Sequence, residues 1–140
     1  AFDKIDVIAS DHAPHTIAEK SAEFASAPSG IPGVETMLPL LMNEVHAGRL
    51  NLSAVIEKTV TNPNRILGIE SPAFVPGARA DFALYAEYPV KIDAENLHSK
   101  CGWSPYEGMY GLFPDITVVS GVCAWKEGEF SREGACFLRG

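Results

Sequence analysis

The rhythm of apolar and polar positions changes near residue 71 of this chain. Before that point, Ile5-Asp6-Val7-Ile8-Ala9-Ser10 is a short apolar run with little alternation. Such a run predicts a strand buried on both faces. Residues 11–33 hold Pro14, Pro28, Gly30, Pro32 and Gly33, which exclude a long regular element and predict a loop. A loop of that length in a compact domain usually carries function or moves. Val34, Met37, Leu38, Leu41, Met42 and Val45 follow helical spacing and predict a helix over 34–47, with Gly48 just past its end. Pro39 lacks an N–H, so it sits in the first turns or kinks that helix. A second helix is predicted from Asn51, with Leu50 and Val55 as its hydrophobic staple. Asn62-Pro63 reads as an N-cap with Pro at the first helical position, opening a third helix that Gly68 ends.

After residue 71 helical spacing disappears. Phe82-Ala83-Leu84-Tyr85, Ile116-Thr117-Val118-Val119 and Val122-Cys123-Ala124-Trp125 are short β-type runs, and a turn at 126–128 precedes Glu129-Phe130. They predict a small antiparallel β unit. The first half is awkward alone, because a strand buried on both faces needs neighbours. No further parallel strand is visible in these residues. The pattern therefore predicts an α/β chain in which residues 1–70 are the last strand and closing helices of a larger barrel, its partner strands coming from further sequence or another chain.

Composition narrows the function classes. The chain has 140 residues, 46% of them hydrophobic, enough for a packed core. No apolar run approaches the ~18–20 residues that span a bilayer, and no basic segment precedes an apolar one as in a secretory signal. A net charge of −7 argues against a nucleic-acid partner, which needs a clustered positive field. It leaves room for a small anionic substrate, since a few local donors hold one carboxylate whatever the global charge. Cys101, Cys123 and Cys136 form no C-x-x-C pair and read as reduced packing thiols of a cytoplasmic protein.

The candidate chemistry lies at Asp11-His12-Ala13-Pro14-His15, directly after the predicted strand. In parallel α/β enzymes the C-terminal end of a strand is where chemistry is done. Asp and His there can bind a metal, move a proton or hold an anion. His46 and His98 fall outside any ligand spacing and read as surface residues.

Five stretches in order carry a resemblance. They are Ala9-Ser10-Asp11-His12-Ala13-Pro14-His15-Thr16 with Glu19-Lys20; the run 27–41 from Ala27-Pro28-Ser29-Gly30 to Leu40-Leu41; Thr61-Asn62-Pro63-Asn64-Arg65-Ile66-Leu67-Gly68; Pro76-Gly77-Ala78-Arg79-Ala80-Asp81-Phe82; and Ser99-Lys100-Cys101-Gly102-Trp103-Ser104-Pro105-Tyr106-Glu107-Gly108. Together they resemble the dihydroorotases of the amidohydrolase superfamily. The first, second and fifth favour dihydroorotase over hydantoinase or allantoinase.

The resemblance implies the C-terminal segment of a TIM-type (β/α)8 barrel plus part of a small β-sandwich, with residues 1–70 supplying the last barrel strand, a substrate loop and closing helices and residues 71–140 the β-sandwich portion. It implies a zinc-dependent hydrolase that interconverts N-carbamoyl-L-aspartate and L-dihydroorotate in pyrimidine biosynthesis. One or two zinc ions would activate a hydroxide that attacks the ring amide. Asp11 matches the catalytic aspartate, which binds metal and carries a proton. His15 matches the histidine that binds the substrate carboxylate, with His12 on the same turn. Ser29 and Gly30 match the loop that offers backbone groups to the substrate; Ser29 replaces a bulky apolar residue, which backbone donation survives. Lys100, Trp103, Tyr106 and Glu107 read as structural ties. The family's His-x-His pair, carboxylated lysine, two further histidines and substrate-gripping arginine and asparagine match nothing here. The other metal ligands are therefore expected outside these residues, and the 140 residues alone are expected to be inactive. A homo-oligomer, or a barrel completed by further sequence, is expected, with aspartate transcarbamoylase as a candidate partner. The alternatives are a non-catalytic dihydroorotase-like subunit that supports such a partner, a related hydantoinase or allantoinase, and an interaction module with no ligand.

Overall fold

A computed structural model describes residues 2–71 and 73–131. The chain divides into two compact units that interleave along the sequence. One is drawn from residues 1–8, 50–87 and 113–140, the other from 9–49 and 88–112.

The 9–49 and 88–112 unit contains the long loop. Within that loop a four-residue helix, α1 (Ile17–Lys20), forms because Thr16 and Glu19 make a reciprocal capping box. Glu19 Oε2 accepts from the Thr16 N–H at 2.7 Å, and Thr16 Oγ1 accepts from the Glu19 N–H at 3.3 Å. Helix α2 (Met37–His46) starts three residues later than the apolar spacing predicts. Residues 34–36 are a turn instead, and the Gly33 carbonyl accepts from the N–H groups of Thr36 and Met37 and from Thr36 Oγ1. Pro39 therefore lies in the first turn, where its missing N–H costs nothing, and no kink is needed. Its carbonyl accepts from the Leu112 N–H at 2.9 Å. Strands β2 (Val90–Lys91) and β3 (Tyr110–Gly111) pair antiparallel, and β3 lies against α2. Ile92, Leu112, Pro39 and the fully buried Thr36 are the interior of this unit.

In the other unit, Asn51 caps α3 (Leu52–Ile56) by accepting from the Ser53 N–H at 2.8 Å. The predicted break at Asn62 does not occur. A π-helical turn at Glu57–Thr61 runs straight into α4 (Asn62–Leu67), which Gly68 ends at φ 66°. Asn62 is helical and buried. Its amide donates to the Asp6 carbonyl at 2.7 Å instead of capping. Lys58, one turn earlier and also buried, donates to the Ile5 carbonyl at 2.6 Å. The Ile8 N–H in turn donates to the Lys58 carbonyl at 2.9 Å.

The predicted strand over residues 5–10 is therefore corrected. These residues form no ladder and are mostly exposed, with Ile5 43% accessible. A strand exists only through hydrogen bonds to a neighbour. The described residues supply helix side chains to this segment and no strand. Farther on, β1 (Phe82–Tyr85), β4 (Pro114–Val119), β5 (Val122–Lys126) and β6 (Glu129–Phe130) make one antiparallel sheet in the order β1-β4-β5-β6. The three predicted β runs all lie in it. Asp81, paired with Arg79, accepts from the Ser120 N–H at 2.7 Å and closes the β4–β5 turn, and this bond holds its carboxyl below the usual range. Burial raises the Tyr85 phenol above its ordinary value. Cys101 and Cys123 are free thiols; Cys136 lies outside the described residues.

Two predictions come from these contacts. Lys58→Met leaves the Ile5 carbonyl without its buried donor, and urea unfolding should show a loss of about 1–3 kcal/mol. Lys58→Arg should recover part of it. The second concerns pH. Its bonds to Thr16 hold the Glu19 carboxyl below the ordinary glutamate value. A depressed folded value means that the capping box is complete above the ordinary value and is lost as pH falls through the lowered one. Carboxyl NMR titration should place Glu19 below a free glutamate. Thr16→Ala should raise it only part of the way back, because the backbone N–H at position 16 still donates to it while the hydroxyl is lost.

Candidate active site

The loop from Asp11 to Gly33 folds back on itself, and its two limbs meet. The Ala13 N–H donates to the Ile31 carbonyl at 2.9 Å, and His12 forms a single antiparallel bridge with Pro32. The limbs close because positions 30 and 33 carry no side chain. Gly30 has φ 87°, and a Cβ there would stand 2.6 Å from the Ala13 Cβ. It would also stand 3.4 Å from Asp11 Oδ2. A Cβ on Gly33 would stand 3.0 Å from the Asp11 carbonyl oxygen. Glycine permits both the positive φ and the close approach.

Asp11 is exposed, and its Oδ1 accepts from the His12 N–H at 2.7 Å. This local bond fixes one carboxylate oxygen and sets the other beside the Gly30 backbone. His15 is half-buried. Its N–H donates to the Ala13 carbonyl at 2.9 Å, and its ring Nδ1 lies 4.0 Å from Glu19 Oε2. Ser29 is exposed at the tip of the returning limb, next to Gly30. The loop thus brings Asp11 beside Gly30. His15 and Ser29 sit on its two limbs, and neither hydrogen-bonds to Asp11. His12 contributes its backbone to the Asp11 bond.

Two further side chains hold this loop. Lys20 Nζ donates to the carbonyls of Pro28 at 2.7 Å and Gly30 at 3.2 Å. The indole N–H of Trp103 donates to the His15 carbonyl at 2.7 Å. The Trp103 pairing has no sequence signal, since Trp103 lies 88 residues from His15, whereas Lys20 lies only 8 and 10 residues from its acceptors. His98 is exposed, as its sequence position suggests, yet its ring and backbone N–H both bind Glu35, at 2.6 and 2.8 Å. Glu107 accepts from the Ala94 N–H at 2.9 Å, a structural tie.

A carboxylate such as Asp11 can ligate a cation or carry a proton. Catalytic zinc takes three protein ligands. Among the described residues, no three His, Cys, Asp or Glu side chains converge on one point. The donors within this segment do not by themselves fit a zinc ion. Among the described residues, no helix is long and apolar enough to cross a membrane.

Comparison with known proteins adds a family. No protein-family model matches the chain. A dihydroorotase of Halobacterium salinarum is 45% identical over 124 residues, covering 87% of this chain and 29% of that protein. One of Pyrococcus furiosus is 46% identical over 130 residues, covering 91% of this chain and 30% of that protein. The multifunctional protein pyr1-3 of Dictyostelium discoideum is 41% identical over 129 residues, which are 6% of its length. Among solved structures, the L-hydantoinase of Arthrobacter aurescens superposes with a TM-score of 0.82 at 31% identity, over 92% of this chain and 30% of that one. The chain thus spans under a third of the dihydroorotases it matches. The fold class is α/β, the C-terminal segment of a TIM-type (β/α)8 barrel with part of a small β-sandwich. Over 87% to 91% of its own length the chain resembles dihydroorotase, of the amidohydrolase superfamily, and it matches only part of such a protein.

Proposed function

We propose that this chain is the C-terminal segment of a metal-dependent cyclic amide hydrolase that interconverts N-carbamoyl-L-aspartate and L-dihydroorotate in the cytoplasm. Residues 1–70 would carry the substrate loop and the closing helices, with residues 5–10 becoming the last barrel strand only where neighbouring strands complete the barrel, and residues 71–140 the β-sandwich portion. The observation that supports this most is the approach of the Asp11 carboxylate to the Gly30 backbone, on a loop whose sequence matches dihydroorotases.

In the reaction, Asp11 accepts a proton from the attacking water and returns it to the leaving amide nitrogen. Asp11 would be the donor that these residues offer to a zinc ion, and the other ligands would come from sequence outside them. His15 donates a hydrogen bond to the substrate carboxylate. The backbone at Ser29 and Gly30 closes on the substrate from the other limb, where the missing Cβ leaves space. A homo-oligomer, or a barrel completed by further sequence, and a partnership with aspartate transcarbamoylase would belong to the whole enzyme.

The superposition on a hydantoinase favours one second reading, a related amidohydrolase acting on a neutral ring. Substrate preference separates the two. Full-length protein should cyclise carbamoyl-aspartate in preference to opening hydantoin or allantoin. A preference for neutral rings would contradict the carboxylate role of His15. Asp11→Asn should lower turnover by about 10²- to 10⁴-fold, the range for losing a general acid–base group. Unchanged turnover would remove Asp11 from the mechanism, and absent wild-type turnover would point to a non-catalytic dihydroorotase-like subunit. Gly30→Ala should destabilise the protein by roughly 1–2 kcal/mol, since alanine must take a positive φ against the Ala13 methyl. Thermal unfolding and KM measured together would check this, with both expected to worsen.

A further inference from the structure

Lys20 and Trp103 are joined to the loop through backbone oxygens alone. Lys20 Nζ reaches the carbonyls of Pro28 and Gly30 on the returning limb. The Trp103 indole reaches the carbonyl of His15 on the outgoing limb. The ammonium also lies 5.8 Å from the centre of the Trp103 ring, within range of a cation–π attraction. Both side chains are half-buried. One contiguous cluster therefore grips both limbs of the loop at the residues next to the chemistry.

The grip has a direction. No cis peptide bond occurs among the described residues. In a trans peptide the N–H points opposite to the carbonyl. Holding the Pro28 and Gly30 carbonyls on Lys20 turns the N–H groups of Ser29 and Ile31 the other way. Among the described residues, neither N–H donates to the protein. These are two backbone donors on either side of Gly30, where a Cβ would stand 3.4 Å from Asp11 Oδ2. Trp103 does the matching task on the other limb, since fixing the His15 carbonyl fixes the base of the imidazole. Without Lys20, the two peptides flanking Ser29 and Gly30 are free to rotate. Without the indole N–H, the His15 peptide loses its anchor.

We infer that Lys20 and Trp103 are a positioning pair that aims the backbone donors beside Gly30 and the His15 ring at an anionic group of the substrate. The inference rests on the reading of the chain as a cyclic amide hydrolase. It predicts a specific kinetic signature, because the pair acts through groups that bind the substrate and not through the proton carrier.

The test uses the full-length protein with Lys20→Met, Lys20→Arg, Trp103→Phe and the Lys20→Met/Trp103→Phe double variant. For carbamoyl-aspartate, Lys20→Met and Trp103→Phe should each raise KM by about tenfold or more while kcat changes little, because uniform binding is lost. Lys20→Arg keeps donors for the two carbonyls and should recover most of the loss. The double variant should cost less than the product of the singles, since the ammonium lies 5.8 Å from the Trp103 ring centre and the two grip one loop. Carbamoyl-β-alanine, which lacks the α-carboxylate, should show a much smaller KM change in the same variants. Limited proteolysis at residues 21–29 provides a readout independent of turnover, and should speed up in Lys20→Met and not in Lys20→Arg. Faster proteolysis with an unchanged KM would overturn the inference and leave the pair purely structural. So would an equal KM change for both substrates. Absence of turnover in the wild-type enzyme would instead overturn the functional reading on which the inference stands.

Discussion

No side chain fits at position 30, and the site depends on that constraint. The outgoing limb, from Asp11 to His15, and the returning limb, from Ser29 to Gly33, lie together only because Gly30 can take φ 87° against Ala13. A methyl there would stand 2.6 Å from another methyl and close to the carboxylate. Around this contact the loop has little regular structure of its own: one four-residue helix and one bridge. Its order comes from short links whose free energies are individually small. They are the capping box at Thr16, the Ala13–Ile31 bond, the lysine on two carbonyls and the indole on a third. A loop built in this way can be precise at a few atoms while most of its surface stays exposed.

The same logic explains where buried polar groups occur. Lys58 and Asn62, one helical turn apart, donate to successive carbonyls at Ile5 and Asp6. A buried ammonium is tolerated when it is bonded, and here it ties down a segment with no strand beside it. In the described residues that segment is held by a helix. In a complete barrel of the proposed kind it would be held by strands as well. The exposure of Ile5, Leu52, Ile56, Ile66 and Leu67 fits a segment that spans under a third of its relatives' length.

Much of the fold was legible because local physics dictated it. Helical spacing located α2, although its start slid to Met37 where the Gly33 carbonyl gathered the turn. Asn51 capped as its residue type suggests, and the three β runs joined one sheet. The failures share a cause. Residues 5–10 have a strand's composition, yet a strand is a relation to neighbours that these residues do not include. Asn62 looks like a cap, yet a distant carbonyl at Asp6 outcompeted that use of its amide. Strands β2 and β3, at two residues each, are too short for any periodicity. In the candidate site, Asp11 and His15 were named from their place after an apolar run and from the resemblance to dihydroorotases, Ser29 and Gly30 from that resemblance. Trp103 was read as a structural tie, but its acceptor was not legible, because the 88 residues between it and His15 leave no trace in spacing, and nothing in residue type says that Lys20 turns to the carbonyls of Pro28 and Gly30.

The most direct measurement is a crystal structure of the full-length protein with dihydroorotate bound. The account predicts the scissile amide within about 3–3.5 Å of the Asp11 carboxylate, the ligand carboxylate on His15, and the Gly30 backbone against the ring. A ligand seated elsewhere, with the Asp11 carboxylate engaged only by the His12 N–H, would contradict it.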